Sequence, residues 1–183
     1  YVFVEVSSGL DILGASGPSV EARSRYNADA TFTKVYARAS HYRDIGKYFG
    51  LYGWVAGQAA DGPLLSSEEF SVGGPLVGRG YGYGEISGDH GIAGLVELRA
   101  GFAPDHDLIN FAQAYLSYDA AMVWNDTPYG QRTADLESAA IGLRLNVLDR
   151  LSAGLEFAKP LTLTPYDEDD KDWRQYFQVS VTY

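Results

Sequence analysis

Apolar and polar residues alternate along most of this chain with a period of two. In residues 136–148, Ala139, Ile141, Leu143, Leu145 and Val147 fall two apart, the spacing of a strand rather than a helix. In residues 108–124, Ala112, Ala114, Leu116, Tyr118 and Met122 oppose Gln113, Tyr115, Ser117 and Asp119. The last segment alternates Phe177, Val179, Val181 and Tyr183 with Gln178, Ser180 and Thr182. Read throughout, the pattern predicts eight strands, at about residues 1–13, 30–41, 48–59, 91–102, 108–124, 136–148, 151–163 and 173–183. Helix signals are nearly absent, so the expected class is all-β and antiparallel.

The connections are sorted by length. Short turns are expected at Arg43–Lys47, Ala103–Asp107 and Asp149–Arg150. Longer polar or glycine-rich stretches are expected after the first, third, fifth and seventh strands. They include the Gly14, Ser16, Gly17, Pro18 break, a loop of about residues 60–90, the polar loop from Asn125 past Pro128 and Arg132, and the acidic loop Asp167–Asp172. In an antiparallel meander this places the long connections on one edge and the short ones on the other, the arrangement of an outer-membrane barrel. The strands also suit a tilted membrane crossing of about 9–11 residues better than the usual globular strand of about 5–6. One face of the late strands is apolar. The other carries Glu97, Arg99, Gln113, Asp119, Arg144, Asn146, Glu156 and Gln178.

Composition narrows the function. With 24 acidic and 14 basic residues the formal net charge is -10, which argues against a nucleic-acid partner. The absence of cysteine excludes disulfides, thiolate metal sites and a catalytic thiol. No apolar run approaches the roughly 18 residues of a spanning helix. Gly80, Gly82 and Gly84 lack the spacing of a phosphate loop, and no nucleophile-elbow or zinc-protease motif occurs. His41, His90 and His106 lack metal-ligand spacing. The acidic 167–172 stretch lacks the spacing of a calcium loop. No cofactor, metal site or catalytic residue is expected. The chain begins at Tyr1 with no visible signal peptide, and the expectation is a piece of a longer polypeptide.

The most informative stretch runs from Leu64 to Arg99. It contains Phe70-Ser71-Val72-Gly73-Gly74, then Gly78-Arg79-Gly80-Tyr81, then Gly84-Glu85-Ile86-Ser87-Gly88-Asp89-His90-Gly91, then Glu97-Leu98-Arg99. Arg79 is the only basic residue of the loop, amid Glu68, Glu69, Glu85 and Asp89. This resembles the hemolysin secretion/activation family, the transporter component of two-partner secretion, within the POTRA-containing outer-membrane superfamily. That pattern reads roughly F-S-x-G-G-x-x-x-V-R-G-Y, G-E-x-S-G-D-x-G and E-L-R. Tyr118 to Asn125 resembles the aromatic–Asp segment that follows. The resemblance covers the chain from about Thr31 onward. It departs at Gly78, where the family has valine, a change expected to loosen the tip.

The resemblance implies that residues 1–183 are the C-terminal half of one sixteen-stranded transmembrane β-barrel domain in a bacterial outer membrane. The loop of about residues 60–90 would lie in the lumen, shaped by Gly73, Gly74 and Gly88 with Asp89. Its tip, Arg79, Gly80 and Tyr81, would meet the barrel wall, with Asp119 as partner of the arginine and Glu97 as a second wall residue. The implied partners are a secreted exoprotein of hemolysin or adhesin type, the lipid bilayer, and periplasmic POTRA domains on an N-terminal part outside this chain. Two alternatives stand beside it: a barrel-assembly insertase of the same superfamily, and a stand-alone small structural barrel of eight strands.

Overall fold

The computed structural model describes residues 1–10, 12, 25, 28, 30–104, 108–127, 130–148 and 150–182. Among the described residues ten strands form in chain order: β1 (Val2–Ser8), β2 (Thr33–Ile45), β3 (Phe49–Ala60), β4 (Phe70–Val72), β5 (Ile86–Gly88), β6 (His90–Phe102), β7 (Ile109–Thr127), β8 (Gly130–Val147), β9 (Leu151–Pro160) and β10 (Arg174–Val181). Eight make one sheet in the order β1-β2-β3-β6-β7-β8-β9-β10, with every neighbouring pair antiparallel. These are the eight strands the alternation predicts. The sheet is open, with β1 and β10 at its edges.

β4 and β5 form a separate hairpin inside the stretch expected to be loop. Three residues each are too few to leave a periodic signal. Because β3 and β6 pair with each other, the 61–89 loop leaves and re-enters the sheet at one edge.

Several boundaries differ from expectation. β1 ends at Ser8, five residues short of Leu13. β9 stops at Pro160, which has no N–H of its own to donate, although Leu161 N–H still reaches Glu137 O at 2.9 Å. The polar stretch after Trp124 is paired strand, with Asn125 opposite Arg132, Asp126 opposite Gln131 and Thr127 opposite Gly130. Ladder bonds are backbone bonds, so a hairpin polar on both faces still forms while showing no period of two. The long connection expected there is therefore mostly an extension of β7 and β8. The expected break at Gly14 to Pro18 and the turn residues Asp105 to Asp107, with His106, lie outside the described residues, as do Pro128 and Asp149.

The two faces separate as the alternation requires. Val55, Ile92, Val96, Leu116, Met122, Ile141 and Leu143 are all exposed on one face. The opposite face carries the loop. Its charged cluster of Glu97, Arg99 and Arg144 lies toward the short turns. Nearer the long connections it presents Ala56, Ala93, Leu95, Ala121, Val123 and Leu136, which cluster with Phe70, Val72, Val77, Tyr81 and Ile86 of the loop. This buried cluster, not the sheet alone, is the core.

Candidate functional site

The loop is built to lie on the sheet. The β4–β5 hairpin, with Phe70 opposite Gly88 and Val72 opposite Ile86, roots it. Phe70 contacts the ring of Tyr36 with centroids 6.3 Å apart. Beyond the hairpin the chain folds back tightly: Gly73 N–H donates to Val77 O and Gly74 N–H to Gly78 O, each at 3.2 Å. Tyr81 N–H then donates to Gly78 O at 2.8 Å. The result projects residues 78–81 onto the wall.

Arg79 is buried and held from three strands. Its Nη2 lies 3.0 Å from Glu97 Oε2 of β6. Its Nη1 donates to Ser117 Oγ of β7 at 3.1 Å and to Glu156 Oε2 of β9 at 3.0 Å. Its guanidinium carbon is 5.6 Å from the centroid of the Tyr115 ring. Glu97 is fully buried and collects two further arginines. Arg144 reaches both its oxygens, at 2.7 and 3.1 Å, and Arg99 Nε reaches Oε1 at 2.5 Å. Tyr115 stacks on Arg144 with its centroid 3.9 Å from the guanidinium carbon, and its hydroxyl donates to Glu156 at 2.5 Å. The network links buried Arg79 and Glu97 to the more exposed Arg99, Arg144 and Glu156 through charge-assisted bonds that fix geometry as well as supplying energy.

Asp119 does not pair directly with Arg79, contrary to the expectation. Its Oδ1 accepts the backbone N–H of Gly78 at 2.6 Å and the Ser138 hydroxyl at 2.7 Å. The physical reason is register. Side chains two residues apart share a face, and the guanidinium reaches one inward row beyond Asp119. There Ser117 and Glu97 stand directly opposite one another. Asp119 is left under the backbone of the preceding residue.

At Gly78, where a looser tip is expected, the backbone takes a conformation that suits glycine. It adopts φ of 82°, and a Cβ there would lie 2.9 Å from Gly73 Cα and 3.2 Å from Leu136 Cδ1. Gly80 passes so close to the end of β9 that a Cβ would sit 2.4 Å from Pro160 N. Tyr81 is fully buried and donates its hydroxyl to Glu137 O at 3.0 Å. Thr162 N–H donates back to the same hydroxyl at 3.3 Å.

Gly88 and Asp89 lie away from the tip, at the loop's return to the sheet. Asp89 is fully buried. Its Oδ1 accepts Leu64 N–H at 2.7 Å and its Oδ2 accepts Asp126 N–H at 3.0 Å. Sequence reasoning placed Glu156 on the inner face but not at the tip, and it assigned no role there to Ser117, Tyr115 or Ser138. Their inward parity was the only available signal. The site is a non-covalent fastening of a loop to a wall. Among the described residues no group of His, Asp and Glu is placed to hold a metal ion.

The solved structure of CdiB from Escherichia coli matches with a TM-score of 0.77 at 23% identity, covering 98% of this chain and 33% of that one. The likeness is one of fold, and this chain spans about a third of that protein's length. No curated protein matches the chain. The model of one protein family matches residues 1–145. It therefore takes in residues 1–30, where the motif resemblance is weak, and stops within β8. The chain belongs to that family, the haemolysin secretion/activation proteins ShlB/FhaC/HecB.

Proposed function

We propose that the chain is the C-terminal wall of an outer-membrane transporter that exports an unfolded exoprotein, of hemolysin or adhesin type, by two-partner secretion. The observation that carries this reading is the long loop docked on the inner face through buried Arg79. Family membership supplies the secretion context. In this reading the exposed apolar face, with Val96, Leu116, Ile141 and Leu143, meets lipid. A basic side chain near the midplane of that face would cost about 2–4 kcal/mol. The inner face becomes the wall of a wet lumen, its charges paired among themselves so that a passing chain meets few unpaired ones.

The open sheet is a partial wall rather than a small closed barrel, and the remaining strands of a sixteen-stranded barrel would join at β1 and β10. Periplasmic POTRA domains on the same polypeptide would capture the exoprotein. No ATP is available there, so folding of the chain outside would drive export. The insertase reading shares the Arg-Gly-Tyr tip, but the family matched is one of secretion proteins. The reading is tested by deleting the full-length transporter from its host. The exoprotein should vanish from the medium and return on complementation, while other barrels keep assembling. General loss of barrels would favour an insertase.

A further inference from the structure

The loop is fastened twice. At the end opposite the tip, Arg25, from the connection between β1 and β2, closes on Asp89. Arg25 Nη1 lies 2.5 Å from Asp89 Oδ1 and Nη2 lies 3.3 Å from Oδ2, a two-pronged contact. Nη1 also donates to Leu64 O at 3.0 Å and pairs with Glu69 Oε1 at 2.8 Å. Nη2 donates to Asn125 Oδ1 at 3.0 Å. Asn125 in turn accepts Asp89 N–H and donates to Ser87 O, both at 3.1 Å. Gln58 Nε2 reaches Asp89 O at 3.3 Å.

One guanidinium and one buried carboxylate therefore join four pieces of chain: the β1–β2 connection, the outgoing limb of the loop at Leu64 and Glu69, its returning limb at Ser87 and Asp89, and the extended end of β7. The Asp89 carboxylate already takes two backbone N–H groups, so Arg25 completes the coordination of an anion that has no access to water. Among the described residues no hydrogen bond or ion pair of this cluster runs to Arg79, Glu97, Glu156 or Arg144. We propose that Arg25 and Asp89 form a second, independent clamp, with Arg25 a positioning residue that holds the outer limbs of the loop while Arg79 holds its tip. On the export reading above, release of the loop then requires two separate events, one governed by an outer connection.

The test reads loop opening directly and contains no exoprotein, so a failure of the export reading leaves it intact. The chain has no cysteine. In the full-length protein in vesicles, Leu64→Cys reports the outer end and Val77→Cys reports the tip, both sites being buried. A maleimide is the probe, and heat-modifiable migration confirms a folded barrel in every sample. Arg25→Ala should speed labelling of the outer cysteine by roughly tenfold or more, the change expected from losing a charge-assisted pair, while the tip cysteine stays protected. Arg79→Ala should do the reverse. Arg25→Lys, which keeps the charge but not the two-pronged contact, should give an intermediate rate. Unchanged labelling of the outer cysteine in folded Arg25→Ala or Arg25→Lys, or equal exposure of both reporters, would overturn the proposal.

Discussion

The carboxylate of Asp119 accepts the backbone N–H of Gly78 at 2.6 Å. It holds the tip by the peptide preceding Arg79, and the guanidinium is left free to reach Glu97 and Glu156. The tip is thus gripped at two levels, backbone at one row and side chain at the next.

That division predicts which pairs are coupled. A double-mutant cycle between Arg79 and Glu97, read by protection of Val77→Cys from maleimide, should show clear coupling. Removing one buried partner should weaken docking by about 3–5 kcal/mol. The Arg79–Asp119 cycle should show markedly weaker coupling, and exchanging those two charges should not restore docking. Strong coupling between Arg79 and Asp119 would mean that the two side chains pair after all.

Gly78 carries a second prediction. Installing the valine of the family pattern should weaken this tip rather than strengthen it. At φ of 82° a side chain is strained, and its Cβ would press on Gly73 Cα. The expected cost is on the order of 1–3 kcal/mol. Tip protection in Gly78→Val equal to the parent would show that the loop has another way to dock.

Gly80 and Tyr81 separate space from hydrogen bonding. Gly80→Ala places a carbon against the β9 backbone, which cannot swing aside, so the tip should lift. Tyr81→Phe removes only the hydroxyl bonded to Glu137 O and Thr162 N, a loss of about 1 kcal/mol. Protease sensitivity of the loop in folded protein should therefore rise strongly for the first and slightly for the second.

The exposed apolar face predicts a contrast between neighbours in the sheet. Ile141→Arg on that face should lower the stability of the bilayer-folded barrel by about 2–4 kcal/mol. Gln113→Arg on the loop-bearing face should change it far less. Denaturant titration in vesicles measures both. Equal tolerance would argue that the face containing Ile141 does not meet lipid.

These contrasts also show how far the sequence reaches. Alternation assigned the parity of Glu97, Asp119 and Glu156 because a strand has only two faces. It could not tell which inward residue meets which part of the loop, because that depends on register across four strands. The Asp119 pairing, expected from the motif, missed by one row for that reason. The apolar upper part of the inner face, with Ala93, Leu95 and Leu136, was unreadable because its partner is a loop without periodicity. Arg25 sits in a stretch with no motif, and only the folded chain brings it to Asp89.

The central claim is that export depends on the loop docked through Arg79. It is tested most directly by measuring exoprotein in the culture medium of cells carrying Arg79→Ala in the full-length transporter, at equal amounts of heat-modifiable barrel. Export reduced to a small fraction of the parent level is the predicted result. Export at the parent level, with the barrel folded and inserted, would contradict the account.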